Sequence, residues 1–191
     1  VALRVVFVVR PELGGAAATD AASPIRPFER LALTAAVINL CGVNIGHRWT
    51  ESYRRELRDS RVVPTTTLAK AVAAQGIELL INSSGVGSYG DTGQTEVTEK
   101  SPALQGDDFL SKVSVEWEGA TRPASDAGAR VVIMRTGLPL SAEGGFLKPQ
   151  LLPFKLGVGG KLGNGKQWVP WVSFVDFLRA VQFAIGDKEI D

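Results

Sequence analysis

Cysteine and histidine are nearly missing from this sequence, which contains one of each among 191 residues. The lone thiol, Cys41, cannot form an internal disulfide and rules out a multi-cysteine metal site, so we expect no bound metal. A formal net charge of +1 offers no basic surface of the kind that binds nucleic acid or an anionic membrane. These absences are typical of a globular protein in a reducing, cytoplasmic compartment.

Long hydrophobic segments are missing as well. The longest apolar runs, such as residues 5–9, have the length of a strand and are far too short to cross a bilayer. Arg4 and Arg10 bracket that run too closely for the hydrophobic part of a secretory signal, so we expect no such signal. A chain of 191 residues can bury a substantial core, which favours one domain or slightly more.

The apolar runs that are present alternate with helical patterns. Continuous runs of this kind suit the strands of a parallel sheet that is covered on both faces. Strands are predicted at residues 5–9, 36–40, 78–82 and 130–134. Helices are predicted at residues 50–60 and 65–74, from Asp107 or Asp108 to about Ala120, and from Ser173 onward. This alternation predicts an α/β fold with a doubly wound, Rossmann-type parallel sheet.

Two segments break this pattern. Residues 11–33 are rich in alanine, glycine and proline without a clear period, which predicts a loop. Residues 157–166 are rich in glycine, but they lack the terminal Lys-Ser/Thr pair of a nucleoside-triphosphate loop. An Asn164-Gly165 turn, in a hairpin or in a loop that covers a ligand, is the better interpretation.

Residues 83–91 are the most informative about function, because they directly follow the third predicted strand. They contain a literal G-x-G-x-x-G at residues 85–90. A dinucleotide-phosphate loop of that form must open a helix, whose first N–H groups and dipole hold the pyrophosphate. The polar residues that follow here have no helical period. We therefore expect a strand that ends at the rim of a pocket, beside the hydroxyls of Ser83, Ser84 and Tyr89.

Short motifs recur in order over roughly residues 36–185. They are N-L-C-G-V-N-I at 39–45, R-W-T at 48–50, D-S-R at 59–61, S-x-V-G-x-Y-G-D at 84–91, G-D-D-F-L at 106–110, W-E at 117–118, R-T-G at 135–137, P-F-x-L-G at 153–157 and Q-W-x-x-W at 167–171. Together they resemble the epimerase-like, atypical branch of the extended short-chain dehydrogenase/reductase superfamily. That branch is often catalogued as NAD-dependent epimerase/dehydratase and sometimes as a cell-division inhibitor. The resemblance implies a Rossmann fold that binds NAD(P).

The resemblance also implies positions for the cofactor, NADP or NAD. Arg10 directly follows the strand where an arginine would meet the 2′-phosphate of NADP, and a solvated strand-end charge is the alternative. The turn that begins at Asn39 would form a wall against adenine and ribose, although simple turn chemistry would also account for its residues. The candidate cofactor-binding residues are Arg10, Asn39, Leu40, Gly42, Asn44, Ser83, Arg135 and Gly137.

The resemblance is incomplete at both ends. Members of the family open with a strand, a Gly-rich turn and a helix before the strand that matches residues 5–9, and they continue beyond Asp191 into a substrate-binding portion. We therefore expect this first Gly-rich unit and the C-terminal portion to be missing from the sequence. On this interpretation residues 1–145 form the dinucleotide-binding core, and residues 146–191 begin the substrate-binding portion.

Tyrosine is scarce, and Tyr53 and Tyr89 are the two present. Oxidoreductases of this superfamily typically use a tyrosine followed four residues later by a lysine, whose ammonium lowers the pKa of the phenol. Leu57 and Gly93 occupy those positions here, so the Tyr-x-x-x-Lys pair is absent. Ser84 and Tyr89 are then the nearest hydroxyl donors for a substrate carbonyl or alcohol. Without the lysine, we expect slow hydride transfer that depends more on Ser84 than on Tyr89.

Two function classes follow from these observations. The leading one is an NAD(P)-dependent epimerase/dehydratase-like oxidoreductase that acts on a small polar or sugar-nucleotide substrate by reversible hydride transfer. The alternative is a catalytically silent NADP-binding Rossmann protein with a structural or sensing role, which the missing Tyr-x-x-x-Lys favours. Trp168 and Trp171 could close the site, as the resemblance implies, but core positions are the favoured interpretation.

Overall fold

The fold is described by a computed structural model that covers residues 5–10, 15–20, 36–102, 108–161 and 163–190, the first two ranges as backbone only. The strands are β1 (Val5–Arg10), β2 (Gly15–Asp20), β3 (Ala36–Asn39), β4 (Leu79–Gly85), β5 (Arg130–Thr136), β6 (Leu138–Leu140) and β7 (Trp171–Ser173). The α-helices are α1 (Glu51–Gln75), α2 (Phe109–Gly119), α3 (Arg122–Asp126), α4 (Lys148–Lys155) and α5 (Phe174–Gly186).

The main sheet has the strand order β2-β1-β3-β4-β5. Strands β3, β4 and β5 are mutually parallel, with helices in the connections between them. Their carboxyl ends therefore lie at one edge of the sheet. The predicted α/β fold of Rossmann type is confirmed in this part of the chain.

The first two strands correct the prediction in two respects. Strand β1 pairs antiparallel with both β2 and β3, rather than joining the parallel set. Strand β2 lies within residues 11–33, which were expected to be a loop; the remainder of that segment lies outside the described residues. Four residues connect β1 to β2, which is enough for an antiparallel pair but far too short for a parallel crossover. An apolar run has the same composition in either direction, so the sequence pattern did not specify the orientation.

Helix α1 is continuous across the two helices predicted at residues 50–60 and 65–74, and Pro64 lies inside it. Proline removes one backbone donor and normally bends or breaks a helix. Here both halves bury one face, with Leu57 before the proline and Leu68 and Val72 after it, so tertiary packing holds the helix together. The helix begins at the predicted N-cap, Thr50, whose hydroxyl accepts a hydrogen bond from the Tyr53 N–H at 3.2 Å.

Two apolar cores cover the two faces of the sheet. On one face, Val37 and Leu80 pack against Leu68 and Val72 of α1 and against Ala124 of α3. On the other, a second cluster joins the sheet to α5, and its buried members are Ala36, Ile38, Leu79, Ile81, Val132 and Ala184. This two-sided burial is the reason that the strands are continuous apolar runs rather than alternating ones.

Helix α2 begins at Asp108, one of the two predicted starts. The Asp108 carboxylate accepts hydrogen bonds from both the N–H and the hydroxyl of Ser111. Both bonds lower the pKa of Asp108, and the bond from the hydroxyl has the larger effect. Because the folded-state pKa lies below that of the unfolded chain, the stabilisation is present above about pH 4 and is lost as the pH falls through the lowered value.

Replacing this cap gives a first test. We expect Asp108→Ala to lower the free energy of unfolding by about 1 kcal/mol at pH 7. The difference from the parent should shrink as the pH falls below about 4, because the carboxylate of the unfolded parent then begins to take up a proton, which favours unfolding. Urea denaturation at pH 7 and pH 3.5 measures the free energy of unfolding at both pH values. Asp126→Ala, at the C-terminal end of the short helix α3, is the control. A difference that stays the same at pH 3.5 would contradict the capping role.

A second, two-stranded sheet pairs β6 with β7 in parallel. Trp171 on β7 is 64% exposed and Trp168 just before it is 75% exposed, so the favoured core interpretation of these tryptophans is wrong. Neither packs into the apolar clusters, because those clusters are filled by α1, α3 and α5. Among the helices of the described ranges, none combines the length and the apolar character needed to span a membrane.

Candidate functional site

The candidate site lies at the carboxyl ends of β3, β4 and β5. Ser84, the next-to-last residue of β4, is directly opposite Arg135 in the parallel register, and Gly85 is opposite Thr136. After Gly85 the chain forms one turn of 3-10 helix, Val86–Tyr89, and residues 90–102 form no helix. The glycines at positions 85 and 87 therefore do not open an α-helix, as predicted. Gly85 is the last residue of β4, and Gly87 lies in the 3-10 turn that follows the strand.

A carboxylate joins the predicted residues at this edge. The Ser84 hydroxyl donates to Glu118 Oε1 at 2.6 Å. Arg135 binds the same carboxylate with two donors, Nε to Oε1 at 2.9 Å and Nη2 to Oε2 at 2.8 Å. The side chains of Arg135 and Glu118 are 21% and 14% exposed, so the ion pair is largely buried. Its geometry is the bidentate one that fixes a guanidinium most strictly.

Arg135 also contacts the phenol of Tyr89. Its Nη1 donates to the Tyr89 oxygen at 3.3 Å, and its guanidinium carbon lies 5.0 Å from the centre of the tyrosine ring. Hydrogen bonding to Glu118 raises the pKa of the Arg135 guanidinium above its ordinary value, while burial acts in the opposite direction. Arg135 therefore remains a fixed positive charge beside the phenol oxygen. Because that oxygen accepts from Arg135, the phenol proton can point toward a ligand.

Sequence reasoning missed Glu118 as a site residue. The W-E motif at residues 117–118 was a signal for the family, but its role depends on helix α2 crossing the end of β4. Trp117 and Glu118 are neighbours that serve two different networks. The Trp117 indole donates to Thr65 Oγ1 at 2.9 Å, whereas Glu118 binds Ser84 and Arg135.

Asn39 belongs to the buried network rather than to an open surface. Its side chain is fully buried, and its amide nitrogen donates to Thr65 Oγ1 and to Asn82 Oδ1, both at 2.7 Å. Its amide oxygen accepts from the Cys41 N–H at 3.1 Å. These internal bonds engage both amide hydrogens, so Asn39 shapes the turn that follows β3. Any contact between this residue and a cofactor would have to come from its backbone.

The turn after β3 contains the other three adenine-wall candidates. Leu40 is partly buried against the sheet, Gly42 is partly exposed and Asn44 is exposed. A Cβ atom at position 42 would lie 3.0 Å from the guanidinium carbon of Arg61. Arg61 links the turn to helix α1, since it donates to the Val43 carbonyl at 3.0 Å and to the Leu57 carbonyl at 2.9 Å. Burial lowers the pKa of the Arg61 guanidinium.

The remaining candidates lie at separate places. Ser83 is partly buried on β4 and its carbonyl accepts from the Asn82 amide at 2.9 Å. Gly137 lies between β5 and β6, where a Cβ atom would meet the Pro170 carbonyl oxygen at 2.7 Å. Its role is therefore close packing against the segment before β7. Arg10 ends β1, and its side chain lies outside the described residues.

A dinucleotide fits part of this arrangement. The turn at residues 40–44 presents backbone and the Asn44 amide at one strand end, and Tyr89 lies near the end of the next strand. Ligands of open α/β sheets bind in this position, outside the carboxyl ends of parallel strands. Within the described ranges, no G-x-G-x-x-G turn leads from a strand into an α-helix, so these ranges hold no pyrophosphate turn. The described residues fit the two ends of a dinucleotide rather than its middle.

A cavity of about 840 Å³ opens beside the cluster. Val86 and residues 89–97 form one wall, and Lys166, Gln167, Trp168 and Pro170 form the other. Tyr89 lines this cavity, whereas Ser84 does not. The predicted Asn164-Gly165 turn is present just before the second wall, with Gly165 at a φ of 72° and the Lys166 N–H bound to Asn164 Oδ1 at 2.9 Å. The described residues around it form a loop rather than a hairpin.

An open α/β sheet with polar side chains gathered outside its parallel strand ends is a Rossmann-type arrangement. The model of the NAD dependent epimerase/dehydratase family matches residues 12–190 of the chain. The chain belongs to this family, which confirms the family predicted from the ordered motifs.

Individual relatives agree with this assignment. Epimerase family protein Mb2239 of Mycobacterium bovis is 48% identical over 156 residues, which cover 81% of this chain and 51% of that protein. The nucleoside-diphosphate sugar epimerase of Corynebacterium glutamicum is 38% identical with a TM-score of 0.72, over 86% of this chain and 34% of that one. The human epimerase family protein SDR39U1 (isoform 2), solved with NADPH, is 32% identical with a TM-score of 0.77, over 88% and 61% of the two chains. The chain spans about half the length of the curated relatives it matches.

Proposed function

We propose that this protein is part of an NADP-dependent oxidoreductase of the epimerase/dehydratase type, which acts on a small polar or sugar-nucleotide substrate by reversible hydride transfer. The observation that carries the proposal is the contact between Tyr89 and Arg135 at the wall of the 840 Å³ cavity. It places a phenol that is held by a fixed cation at the wall of a space large enough for a ligand. The bound nicotinamide would supply the hydride acceptor.

The protein's own residues would position and protonate the substrate. Tyr89 would donate its proton to, or accept one from, the oxygen bonded to the substrate carbon that is reduced or oxidised. Arg135 would hold the phenol oxygen and stabilise negative charge on it. Glu118 would keep Arg135 in place, and Ser84 would orient Glu118 through its 2.6 Å hydrogen bond. This assignment of roles differs from the expectation that catalysis depends more on Ser84 than on Tyr89, because the Ser84 hydroxyl already donates its proton to Glu118.

The cofactor would lie across the strand ends. We assign the wall against adenine and ribose to Leu40, Gly42, Asn44 and the backbone of Asn39. We assign the nicotinamide side to Ser83 and to Arg135 and Gly137 at the end of β5. On this assignment residues 1–145 belong to the dinucleotide-binding core, and residues 146–191, which include the four residues of the second cavity wall, begin the substrate portion. A cytoplasmic location is part of the proposal, since a single buried cysteine suits a reducing compartment.

Selectivity between NADP and NAD tests the cofactor assignment. If Arg10 pairs with the 2′-phosphate, we expect the full-length protein to bind NADPH at least about tenfold more tightly than NADH, because charge-assisted hydrogen bonds contribute about 1.5–3 kcal/mol. Arg10→Ala should remove that preference, and Arg122→Ala, an exposed arginine on α3, should keep it. Calorimetric titration measures both. Equal affinities in the parent, or an unchanged preference in Arg10→Ala, would refute the assignment.

The rival function is a catalytically silent NADP-binding protein, which the absent Tyr-x-x-x-Lys pair favours. The same titrations separate the two functions when they are combined with a single-turnover assay of nicotinamide absorbance. Tight binding of the dinucleotide without hydride transfer from any nucleotide sugar offered to bound NADP⁺ would support the silent function. No binding of either dinucleotide would refute both.

A further inference from the structure

Asparagine side chains can react with their own backbone, and the residue that follows each asparagine controls the reaction. The backbone nitrogen of that next residue attacks the side-chain amide carbon and closes a five-membered ring. Glycine leaves the nitrogen unhindered, because it has no Cβ atom. The sequence has four asparagines, at positions 39, 44, 82 and 164, and glycine follows only the last of them. The residue types therefore favour attack at Asn164, and the structure decides which of the four amides are accessible.

Burial protects two of the four asparagines. Asn39 and Asn82 are fully buried at the ends of β3 and β4, and the Asn39 amide donates to Asn82 Oδ1 at 2.7 Å. The Asn82 amide nitrogen in turn donates to the Ser83 carbonyl at 2.9 Å. Attack on either amide would require its side chain to leave this hydrogen-bonded network and its ammonia to reach water. The packed interior opposes both changes.

The other two asparagines form a matched pair. Asn44 and Asn164 are both exposed, and each lies at the start of the same kind of turn. Asn44 Oδ1 accepts from the Gly46 N–H at 2.8 Å, and Asn164 Oδ1 accepts from the Lys166 N–H at 2.9 Å. The two sites differ in the next residue, which is isoleucine in the first case and glycine in the second. A comparison of the two therefore isolates the effect of the attacking nitrogen.

The turn at Asn164 favours the reaction in two further ways. The Lys166 N–H already bonds Oδ1, the atom that becomes negatively charged when the amide carbon is attacked, and a donor in that position stabilises the developing charge. Glycines flank the asparagine on both sides, with φ of 55° at Gly163 and 72° at Gly165, so no neighbouring side chain crowds the amide. Among the described residues, no backbone carbonyl accepts from the Gly165 N–H.

We propose that Asn164 is a site of self-modification in the folded protein. The Gly165 nitrogen, after losing its proton, attacks the Asn164 amide carbon, and the side-chain nitrogen leaves as ammonia. The product is a cyclic succinimide. Water then opens the ring at one or the other carbonyl, which gives aspartate or isoaspartate. The sum of the steps consumes one water and releases one ammonia, and no oxidation or reduction takes place.

The conversion changes the charge next to the second cavity wall. It lowers the formal net charge of the chain by one from +1 and puts a carboxylate two positions before Lys166. Lys166 carries the only ammonium group among the described residues that line the cavity, so the new charge partly cancels it. Isoaspartate in addition lengthens the backbone that leads into this wall. The modification needs no cofactor or substrate and is independent of the oxidoreductase function proposed above.

Peptide mapping by mass spectrometry tests the site, after incubation of the full-length protein at pH 7.5 and 37 °C. We expect Asn164 to convert at least about tenfold faster than Asn44, because the β-branched isoleucine hinders its own nitrogen. The rate at Asn164 should rise with pH, since the attacking nitrogen must first lose its proton. Asn164→Gln should keep its amide, because a longer side chain would have to close a six-membered ring. Equal rates at Asn44 and Asn164, or a rate at Asn164 that does not depend on pH, would overturn the proposal.

The same mapping in concentrated guanidinium chloride separates the effect of the fold from that of the sequence. Asn82 is followed by a small serine and is protected by burial, so its conversion should be at least about tenfold faster in the unfolded protein. Asn164 is exposed in the folded protein and should convert at a similar rate in both states. Conversion of Asn164 in the unfolded protein alone would show that the folded turn blocks the attack, and would refute the proposal.

Discussion

Tyr89→Phe is expected to lower the rate of hydride transfer by about 10²- to 10⁴-fold, the usual cost of losing a positioned acid or base. Tyr89 lines the cavity, and its oxygen accepts from Arg135 at 3.3 Å, so the substitution removes the hydroxyl to which the proposed function assigns proton transfer and leaves the ring in place. Ser84→Ala is expected to cost only about tenfold, because the Ser84 hydroxyl orients Glu118 and does not line the cavity.

Single-turnover measurements of nicotinamide absorbance in the full-length protein, with a nucleotide sugar as substrate, compare these variants. Ser125→Ala, an exposed hydroxyl on α3, is the control and should retain the parent rate. An inactive Ser84→Ala beside a near-normal Tyr89→Phe would support the serine-centred order that the sequence alone favoured. Fast turnover in the parent would show that a further acid or base compensates for the missing lysine.

Glu118→Ala is expected to be the most destabilising single change at the site, by about 3 kcal/mol or more. Removing one partner of a largely buried ion pair leaves the other charge without compensation, and Arg135 would lose both of its hydrogen bonds to the carboxylate. Glu116, two residues earlier on α2, offers a matched control, since it pairs with Arg58 at 2.6 Å with side chains 45% and 44% exposed. Exposed pairs of this kind contribute about 0–1 kcal/mol.

Urea denaturation of Glu118→Ala and Glu116→Ala measures this difference directly. The Glu118→Ala, Arg135→Ala double variant should be less destabilised than the sum of the two single changes, because both remove the same interaction. Equal effects of Glu118→Ala and Glu116→Ala would contradict the buried character of the pair. Additive single effects would show that Glu118 and Arg135 act independently.

Local features of the sequence predicted much of this structure correctly. Thr50, Asp108 and Ser173 were placed at helix starts, and each side chain accepts a hydrogen bond from the N–H three residues later. These contacts join near neighbours in the chain, so the residue types alone are informative. The same holds for the end of β4, where a strand-length apolar run was followed by polar residues without a helical period.

Long-range contacts were less predictable. Whether β1 runs parallel or antiparallel depends on the path of the chain between strands, which an apolar run does not reveal. Helix α1 continues through Pro64 because burial on both sides outweighs the loss of one backbone donor. Trp168 is exposed because the cores are already filled, a fact that no local pattern contains.

The class of fold, the family and the strand end at which the candidate site lies could be inferred from the order of residues alone, because periodicity, capping and ordered motifs are properties of neighbouring residues. Only the tertiary structure showed that Glu118 joins Ser84 to Arg135, and that Arg135 in turn contacts Tyr89. These side chains lie 17 to 46 positions apart in the chain, and they meet because parallel strands and the crossing helix α2 end at one edge of the sheet.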